Sequence, residues 1–523
     1  MDKKRETERA ELHKSIWKIA EDLRGSVDGW DFKTYVLGFM FYRYISENIT
    51  NWVNQKQHES GEEGFDYKKL DDSKIDDNVV EAIVTGIGYF IKPSELFANM
   101  RLNAPQNKDL NTDLQRVFND IEKSTTGTQS EGDFAGLFND LDFDSNKLGK
   151  SVEERNKNLV KLLESIGDIN LGDFQDSSVD VFGDAYEFLM NMYASSAGKS
   201  GGEFFTPPEV SELLTKIAIN NKKEVNKVYD PTCGSGSLLL KTIKYLGKDN
   251  IKDGFYGQEK NITTFNLCRM NMFLHNISYD KFKIKNGDTL LEPMHLEEQP
   301  FDVIVSNPPY SLKWEGDSNP TLIQDERFTP AGVLAPKSKA DFAFVMHSLH
   351  HLAENGVAAI VCFPGIFYRS GAEQKIRKYL VDNNFIDALI QLPDNLFYGT
   401  SIATTILVLK KNRKTNDILF IDATNEYIKA GKGNKLSADN IEKLSNVYFE
   451  RKDVDHLAKV VSYEQIKEND YKLSVSSYVE KEDTTEVIDI KELNAKIKEI
   501  TARQDELRKE IDRIIAEIEK DEI

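Results

Sequence analysis

The sequence predicts an α/β protein with a doubly wound sheet, a helical domain before it and a helical tail after it. From about residue 175, short apolar runs alternate with amphipathic helical stretches, as in strands joined by helices. The residues before them place apolar side chains at helical spacing with little β-branched alternation. The tail repeats apolar side chains in heptads. We therefore expect three domains, at residues 1–170, 171–480 and 481–523.

The composition is that of a folded globular protein and disfavours a membrane protein or a disulfide-rich secreted one. The chain has 523 residues, more than one hydrophobic core usually supports, and 40% of them are hydrophobic. The three cysteines lie far apart, without metal-ligand or disulfide spacing. The charged N-terminus lacks the apolar core of a signal peptide, and no stretch reaches the roughly 20 apolar residues of a membrane span. We expect a cytoplasmic protein without a metal site or a membrane anchor.

The net charge of −20, from 67 basic and 87 acidic residues, bears on possible partners. If it were spread evenly over the surface, this charge would repel a phosphate backbone. A nucleic-acid ligand would therefore require a clustered basic face or a second subunit that supplies much of the contact.

Residues 1–170 are predicted to be helical. The segments IWKIAEDLRG and FKTYVLGFMFYRYISENITNWV carry apolar residues at i, i+3 and i+4. The stretches NQKQHESGEEG and STTGTQSEGDF, which are acidic and contain Gly and Ser, have the composition of loops.

Residues 171–480 carry the predicted strands, which are KVYDPT, DGFYGQ, FKIKNGD, FDVIVSNPP, GVAAIVCFP, FIDALIQLP and ATTILVLKK. Because helical stretches separate them, we expect a parallel sheet. In such a sheet, ligands bind at the carboxyl ends of the strands.

The tail, residues 481–523, spaces its apolar residues three and four apart from Ile490 to Ile518. This heptad pattern predicts either a helix that docks on a partner or an amphipathic helix that packs on its own domain.

A glycine loop follows the first predicted strand and precedes a helical stretch. Small residues let the backbone approach a ligand closely, and the N–H groups at a helix start suit an anionic group. By itself the loop is weak evidence of a site, because ordinary strand-to-helix turns look similar. Its candidate ligand-binding residues are Asp230, Thr232, Gly234, Ser235, Gly236 and Ser237.

The next two strand ends carry further polar residues. Glu259 lies about 20 residues after the glycine loop, where an acidic side chain can hold ribose hydroxyls. Asp288, followed by Thr289, can accept a hydrogen bond from an adenine amine. These residues favour a nucleoside-containing ligand.

The loop has no Walker lysine and no standard GxGxxG fingerprint, which disfavours nucleotide hydrolysis and hydride transfer. The three motifs, in this order, resemble those of the methyltransferase fold that depends on S-adenosylmethionine (AdoMet). The resemblance implies AdoMet as the cofactor.

The tetrapeptide Asn307-Pro308-Pro309-Tyr310 directly follows a predicted strand. It resembles the Asn/Asp-Pro-Pro-Tyr/Phe motif of methyltransferases that modify exocyclic or amide nitrogen. The Asn307 oxygen and the Pro308 carbonyl can accept the two N–H bonds of an adenine amine, and Tyr310 can stack on the base. A chance tetrapeptide that only ends a strand is the alternative.

The same resemblance implies site residues in two further segments. Phe204, Phe205 and Thr206, in GGEFFTPPEV, resemble the segment that lies beside the cofactor in the branch where the cofactor motifs precede the catalytic one. The alternative for Thr206, a helix cap, is compatible with that role. Phe397 is expected by resemblance to wall the pocket for a flipped base, although a loop aromatic more often serves packing.

One further helix and its histidines are expected to have a structural role and not a role in the site. We assign the helix that begins at Lys339-Ala340-Asp341 mainly to the core. His347, His350 and His351 lie on that helix without the HExxH pattern of a zinc site.

Nearly the whole chain resembles the modification (M) subunits of type I restriction-modification systems. The similar segments include IWKIAEDLRGSVDGWDFKTYVLGFMFYRYISENI, GKSGGEFFTPPEV and LIQLPDNLFYGTSIATTILVLKK. The resemblance implies a DNA adenine-N6 methyltransferase acting on a flipped adenine in double-stranded DNA. It further implies a second M subunit, a specificity (S) subunit that reads the DNA sequence, and restriction (R) subunits. An S subunit that supplies DNA contacts would reconcile DNA binding with the acidic charge.

Two alternatives stay open at this stage. The same tetrapeptide occurs in enzymes that methylate RNA or protein glutamine. An assembly scaffold that binds the cofactor but has lost catalysis is the other.

Overall fold

The computed structural model describes residues 13–14, 32–169, 181–196, 206–397, 401–431, 433–481 and 490–521. The chain divides into two compact units, Met1–Val479 and Glu480–Ile523. The predicted helical segment IWKIAEDLRG lies outside the described residues. No helix in the described ranges is long and apolar enough to cross a membrane.

The region before the sheet is helical, as predicted. Its helices in the described ranges are α1 (Phe32–Glu59), α2 (Asp77–Ile87), α3 (Phe97–Asn103), α4 (Leu110–Ser124), α5 (Glu131–Phe134), α6 (Val152–Gly167) and α7 (Val181–Ser196). The predicted loop NQKQHESGEEG is partly wrong, because α1 continues to Glu59. Side-chain hydrogen bonds from Gln55 and Lys56 to Glu59 support this last turn.

Helix α1 is buried on all sides over part of its length. Phe39, Met40, Phe41 and Tyr42 are consecutive and fully buried. A helix that is apolar all round must be covered by protein on every side. Phe118 of α4 supplies part of that cover, because its ring contacts those of Phe39 and Tyr42.

The core of these helices continues onto one face of the sheet. The ring of Phe41 lies 6.0 Å from that of Phe273, and the ring of Phe134 lies 4.9 Å from it. The predicted boundary near residue 170 borders residues 170–180, which are outside the described ranges, and it stays a prediction.

Among the described residues of the first unit, nine strands form one sheet in the order β11-β8-β6-β7-β5-β4-β1-β2-β3. Their bounds are β1 (Val225–Asp230), β2 (Ile251–Glu259), β3 (Phe282–Asn286), β4 (Phe301–Ser306), β5 (Leu352–Cys362), β6 (Ile386–Gln391), β7 (Thr405–Leu409), β8 (Ile418–Asp422) and β11 (Ala458–Val461). A separate hairpin consists of β9 (Ile428–Ala430) and β10 (Gly433–Lys435). The apolar runs of the sequence predicted β1 to β7, whereas β8, β9, β10 and β11 were not predicted.

Helices cover both faces of this sheet. They are α8 (Pro208–Ile219), α9 (Ser237–Leu246), α10 (Ile262–Leu274), α11 (Pro320–Ile323), α12 (Asp341–His351), α13 (Ala372–Asp382), α14 (Ala438–Glu450) and α15 (Tyr463–Glu468). Successive residues of β4 point to opposite faces: Val303 and Val305 belong to one hydrophobic cluster and Ile304 to the other. The doubly wound prediction is thereby confirmed.

The prediction of a parallel sheet is wrong for the half of the sheet that runs from β5 to β11. β7 pairs antiparallel with both β5 and β6, and β11 pairs antiparallel with β8. Residues 392–404, between β6 and β7, contain no helix in their described part, so the chain turns back beside β6. A parallel neighbour would need a crossover connection over one face of the sheet.

The described part of the second unit is mainly one long helix, α16 (Ile490–Asp521), which confirms the helical prediction for the tail. Its apolar seam is solvent exposed, from 46% at Leu493 to 70% at Ile490. An i,i+4 ion pair between Glu492 and Lys496 lies on the same helix.

Candidate active site

Four neighbouring strands bring polar side chains to one edge of the sheet. β1 ends at Asp230, β2 ends at Glu259, and Asn307 directly follows β4. Asp288 lies in the loop after β3. The strands β4, β1, β2 and β3 pair in parallel, so their carboxyl ends share one edge. The structure therefore brings together the strand ends at which the sequence predicted a ligand site.

The glycine loop connects β1 to α9 through two left-handed glycines. Gly234 has φ +53° and Gly236 has φ +82°. A Cβ atom on Gly236 would also lie 2.8 Å from the Cys268 sulfur, so this position requires glycine on both counts. The hydroxyls of Ser235 and Ser237 lie 3.3 Å apart at the start of α9. The N–H groups of this first helical turn have no partners within the helix, which suits a ligand with acceptor groups.

Asp230 is fully buried beneath this loop. Its Oδ1 accepts the Thr232 N–H at 2.9 Å, whereas Oδ2 is buried without a hydrogen-bond partner in the described part of the chain. Burial, together with the nearby Glu259 carboxylate, raises the pKa of Asp230 to about 7. The Thr232 hydroxyl lies 2.9 Å from that of Ser306 and so ties the loop to the end of β4. The unpaired Oδ2 is an acceptor that a ligand donor can satisfy.

Glu259 and Asp288 stand at the next two strand ends. Glu259 accepts the Gly234 N–H at 3.1 Å and the Asn261 N–H at 2.8 Å, one at each oxygen. Burial raises the pKa of Glu259. Asp288 pairs through Oδ2 with Lys260 Nζ at 2.9 Å. Because a carboxylate has about four lone-pair sites, both residues retain the capacity to accept hydroxyl or amine donors.

Arg327 is a buried residue beside this site that the sequence analysis missed. It is 2% exposed, and its guanidinium donates to the carbonyls of Thr289 and Leu290 at 2.7 and 2.8 Å. Its other N–H groups bond to Asp325 and to His347 Nδ1. All five guanidinium donors are thus used, and they fix the loop after β3. In the sequence this arginine stands among Gln, Asp and Glu, a composition that suggests an exposed loop.

His347 links Arg327 to the glycine-loop strand. Because an arginine can only donate, His347 Nδ1 accepts and Nε2 carries the proton. That Nε2 lies 2.9 Å from the hydroxyl of Tyr229, the residue before Asp230. Burial, followed by the charges of His351 and Arg327, holds the pKa of His347 well below its usual value. Within the described ranges, no group of three or more His, Cys, Asp or Glu side chains could hold a metal ion.

The Asn307 amide is hydrogen-bonded on both sides. Its Nδ2 donates to the Thr206 hydroxyl at 3.0 Å, and its Oδ1 accepts the Tyr310 hydroxyl at 2.7 Å. Burial raises the pKa of Tyr310 well above its usual value, so the hydroxyl keeps the proton that it donates. Pro308 is buried and Pro309 is exposed. The amide oxygen therefore already acts as a hydrogen-bond acceptor.

Thr206 contacts Asn307 and does not cap α8. The helix begins at Pro208 with Pro207 as its N-cap residue, and among the described residues no side chain caps it. The alternative that Thr206 serves as the cap is wrong, because the residue lies one position too early and its hydroxyl accepts from Asn307 instead.

Of the three phenylalanines that the sequence predicts beside the ligands, the structure describes Phe397. Phe204 and Phe205 are outside the described residues. Phe397 is 6% exposed and belongs to the larger hydrophobic cluster. Its assignment to a base pocket stays a prediction.

The doubly wound sheet, its glycine loop and the Asn-Pro-Pro-Tyr loop at one edge define the class as a methyltransferase. Comparison with known families gives a more specific result. A family model described as N-6 DNA Methylase matches residues 177–487, and the HsdM N-terminal domain model matches residues 12–166.

Individual relatives agree with these family matches. The type I restriction enzyme MpnII methylase subunit of Mycoplasma pneumoniae is 51% identical over 100% of this chain and 98% of its own length. The HindI methylase subunit of Haemophilus influenzae is 32% identical over 64% of this chain and 77% of its own length. A crystal structure of the type I restriction-modification methyltransferase subunit from Streptococcus thermophilus is 35% identical and covers 90% of this chain and 100% of that chain, with a TM-score of 0.81.

The chain belongs to the N-6 DNA methylase family, among the methylase subunits of type I restriction enzymes. The family resemblance recognised in the sequence is thereby confirmed.

The raised pKa of Asp230 predicts a pH effect on stability. Between about pH 4, where an aspartate in the unfolded chain ionises, and about pH 7, the folded state keeps a proton that the unfolded state has lost. The free energy of unfolding should therefore fall by up to about 1.4 kcal/mol per pH unit as the pH rises through this range. Asp230→Asn removes this contribution, so the variant should gain stability relative to wild type between about pH 5 and about pH 8.

Urea unfolding followed by circular dichroism at about pH 5 and about pH 8 measures the difference in stability between Asp230→Asn and wild type. Glu81→Gln, at an exposed position on α2, controls for the loss of one carboxylate. Parallel pH dependences for wild type and Asp230→Asn would contradict the prediction.

Proposed function

We propose that this chain transfers a methyl group from AdoMet to the N6 atom of adenine in DNA, using the Asn307–Tyr310 loop. The orientation of the Asn307 amide carries the proposal, because Thr206 holds its nitrogen and leaves its oxygen as an acceptor. This oxygen and the Pro308 carbonyl supply two acceptors, the number that an adenine amine requires. Membership of the N-6 DNA methylase family supports the same chemistry.

The target nitrogen is a poor nucleophile, because its lone pair is delocalised into the adenine ring. Hydrogen bonds from its two N–H groups to Asn307 Oδ1 and the Pro308 carbonyl favour a tetrahedral nitrogen. They also stabilise the positive charge that develops on the nitrogen as the methyl group transfers. An amide is not a conventional base, so the proton is lost to water after transfer. Positioning should therefore supply most of the rate acceleration.

The base must leave the DNA stack to reach these acceptors. Flipping costs a few kcal/mol, which contacts in the pocket offset. In the proposal Tyr310 and Pro309 line the site, with Tyr310 stacked on the base and Phe397 forming a wall. In the free chain the Tyr310 hydroxyl occupies Asn307 Oδ1. This contact opens when the adenine amine takes the same oxygen.

The cofactor, when bound, supplies a methyl group activated by a sulfonium. The residues at the strand ends fit its polar groups. The glycine loop and the start of α9 offer N–H donors, and Asp230 Oδ2 is a buried acceptor without a partner in the described part of the chain. Glu259 accepts from ribose hydroxyls and Asp288 from the adenine amine. The proposed cofactor site also includes Phe204, Phe205, Thr206, Thr232, Gly234, Ser235, Gly236, Ser237 and Thr289.

We also propose the partners of a type I modification subunit. These are an S subunit, a second copy of this chain and R subunits, acting together on double-stranded DNA. The relatives named above are methylase subunits of type I systems, which supports this assembly. The net charge of −20 supports a division of labour in which the S subunit supplies much of the DNA contact. A cytoplasmic location, consistent with three free cysteines, belongs to the same proposal.

Substitution of Asn307 tests the function. Asn307→Ala removes one of the two proposed acceptors, and methyl transfer should fall by at least about 100-fold. The measurement is transfer of labelled methyl from AdoMet to DNA by the chain assembled with its S subunit. Asn383→Ala removes an exposed amide at the end of α13 and should leave transfer unchanged.

The results of this experiment also distinguish the proposed function from its alternatives. Equal labelling by wild type and Asn307→Ala would overturn the site assignment. Label in RNA or in protein glutamine, but not in DNA adenine, would favour the alternative substrates. Cofactor binding without label in any acceptor would indicate a silent scaffold.

Arg327 provides a test of the cofactor site. Arg327→Lys keeps the charge but loses the fork that holds the carbonyls of Thr289 and Leu290. We expect AdoMet affinity, measured by calorimetry, to fall about 10-fold, since binding then has to order the loop after β3. Arg413→Lys is the matched control, because the Arg413 side chain is only 4% exposed and donates to the carbonyls of Ile386 and Asp417. If both variants bind AdoMet as wild type does, the proposed role of this loop is wrong.

We further propose that α16 docks on a partner through its heptad seam. The described part of the tail forms one continuous helix with its isoleucines and leucines exposed. Such a seam is stabilised when it packs against other helices.

Charges placed on the seam test this proposal. Ile497→Glu combined with Ile511→Glu should abolish co-purification with the S subunit, because two buried carboxylates would have no partner. Lys498→Gln combined with Lys509→Gln changes the net charge by the same amount at positions away from the seam and should leave assembly intact. Normal assembly of the seam variant would exclude this docking role.

A further inference from the structure

The Asn-Pro-Pro-Tyr loop is anchored on its downstream side by a buried carboxylate. Ser311, the next residue, has φ +52°, a left-handed conformation that is unfavourable for serine. Its N–H points at Asp341, and both carboxylate oxygens lie 3.1 Å from the nitrogen. The contact joins the loop after β4 to the first residue of α12.

Asp341 is only 5% exposed although Ser311 itself is exposed. Burial raises the pKa of Asp341, while the Ser311 N–H and the charges of Arg369 and Lys339 lower it. A buried carboxylate is costly unless it accepts hydrogen bonds, so placing one here requires a contact that compensates. The N–H of Ser311 is such a contact.

A second tie joins the same two segments. The Ala340 N–H donates to the Leu312 carbonyl at 2.9 Å, and the Trp314 N–H donates to the Lys337 carbonyl at 2.9 Å. Residues 311–314 are thereby held along the segment that leads into α12. On the upstream side, β4 holds the loop through its pairing with β1 and β5. The four catalytic-loop residues therefore lie between two fixed points.

We propose that Asp341 is a positioning residue for methyl transfer, which fixes the Asn307–Tyr310 loop through the backbone of Ser311. This inference deepens the proposed function and rests on it. Without the anchor, Ser311 would relax toward a right-handed or extended conformation, and the acceptors at Asn307 and Pro308 would lose their alignment. An error of about 1 Å in such a geometry can cost on the order of 100-fold in rate.

Helix α12 carries two separate sets of polar contacts, one at its first residue and one farther along the helix. Its first residue holds Ser311, and two turns later His347 contacts Arg327 and Tyr229. Arg327 in turn holds the loop after β3. The helix that the sequence analysis assigned mainly to the core thus carries polar contacts to both loops.

The test compares three variants in the assembled complex with the S subunit. Asp341→Ala should lower kcat for DNA methylation by about 10- to 100-fold. Its dissociation constant for AdoMet should stay within about 2-fold of wild type, because no strand-end acceptor is changed. Asp341→Asn keeps an acceptor oxygen for the Ser311 N–H and should recover kcat to within about 5-fold of wild type.

Asp302→Ala is the matched control for a general loss of stability. Asp302 likewise anchors the backbone through its carboxylate, accepting the N–H groups of Asn226 and Lys227, but at the opposite end of β1. Its removal should leave kcat within about 2-fold of wild type once the folded fraction is measured by thermal unfolding.

Three outcomes would overturn the positioning role. They are an unchanged kcat in Asp341→Ala, an equal fall in kcat and AdoMet affinity, and an Asp341→Asn variant as slow as the alanine variant. If the wild-type complex leaves DNA adenine unlabelled, the proposed function fails, and this inference fails with it. Label with wild type together with an unchanged Asp341→Ala would overturn this inference alone.

Discussion

The parallel pairing of β1 with β2 on one side and β4 on the other is the constraint on which the site depends. Parallel strands run in the same direction, so the residues that follow them emerge at one edge. Asp230, Glu259 and Asn307 are far apart in the sequence and meet only because this pairing holds. Antiparallel insertion of β7 leaves this half of the sheet untouched, since it lies on the far side of β5.

Buried polar side chains then hold the loops at that edge. Arg327 fixes the loop after β3, and Asp341 fixes the chain after the Asn-Pro-Pro-Tyr tetrapeptide. Each places a charge where burial is costly, and each offsets that cost with backbone hydrogen bonds. Rigid support of this kind suits a reaction in which alignment of acceptors and donor supplies most of the rate acceleration. The resting contact between Tyr310 and Asn307 shows that the acceptor oxygen is satisfied even in the free chain.

Several features followed directly from the sequence. The seven strands β1 to β7, the N-terminal helical region and the tail helix were predicted, because the period of apolar residues reports which side chains are buried. The glycine loop was predicted from its residue types, and Gly236 has no room for a Cβ beside Cys268. The direction of β7 was predicted wrongly, because an apolar run has the same pattern whether its strand is parallel or antiparallel.

The sequence by itself thus determined the class of fold, the family and the residue types available for chemistry, since motif and periodicity are local properties. Only the tertiary structure decided how these residues are held. Thr206 orients Asn307 across 101 residues of sequence, and Arg327 reaches Thr289 across 38. The burial of Arg327 and Asp341 depends on the elements that cover them. A charged residue has the same local sequence whether it is solvent exposed or buried. The supporting contacts of Arg327 and Asp341 can therefore be identified only from the tertiary structure.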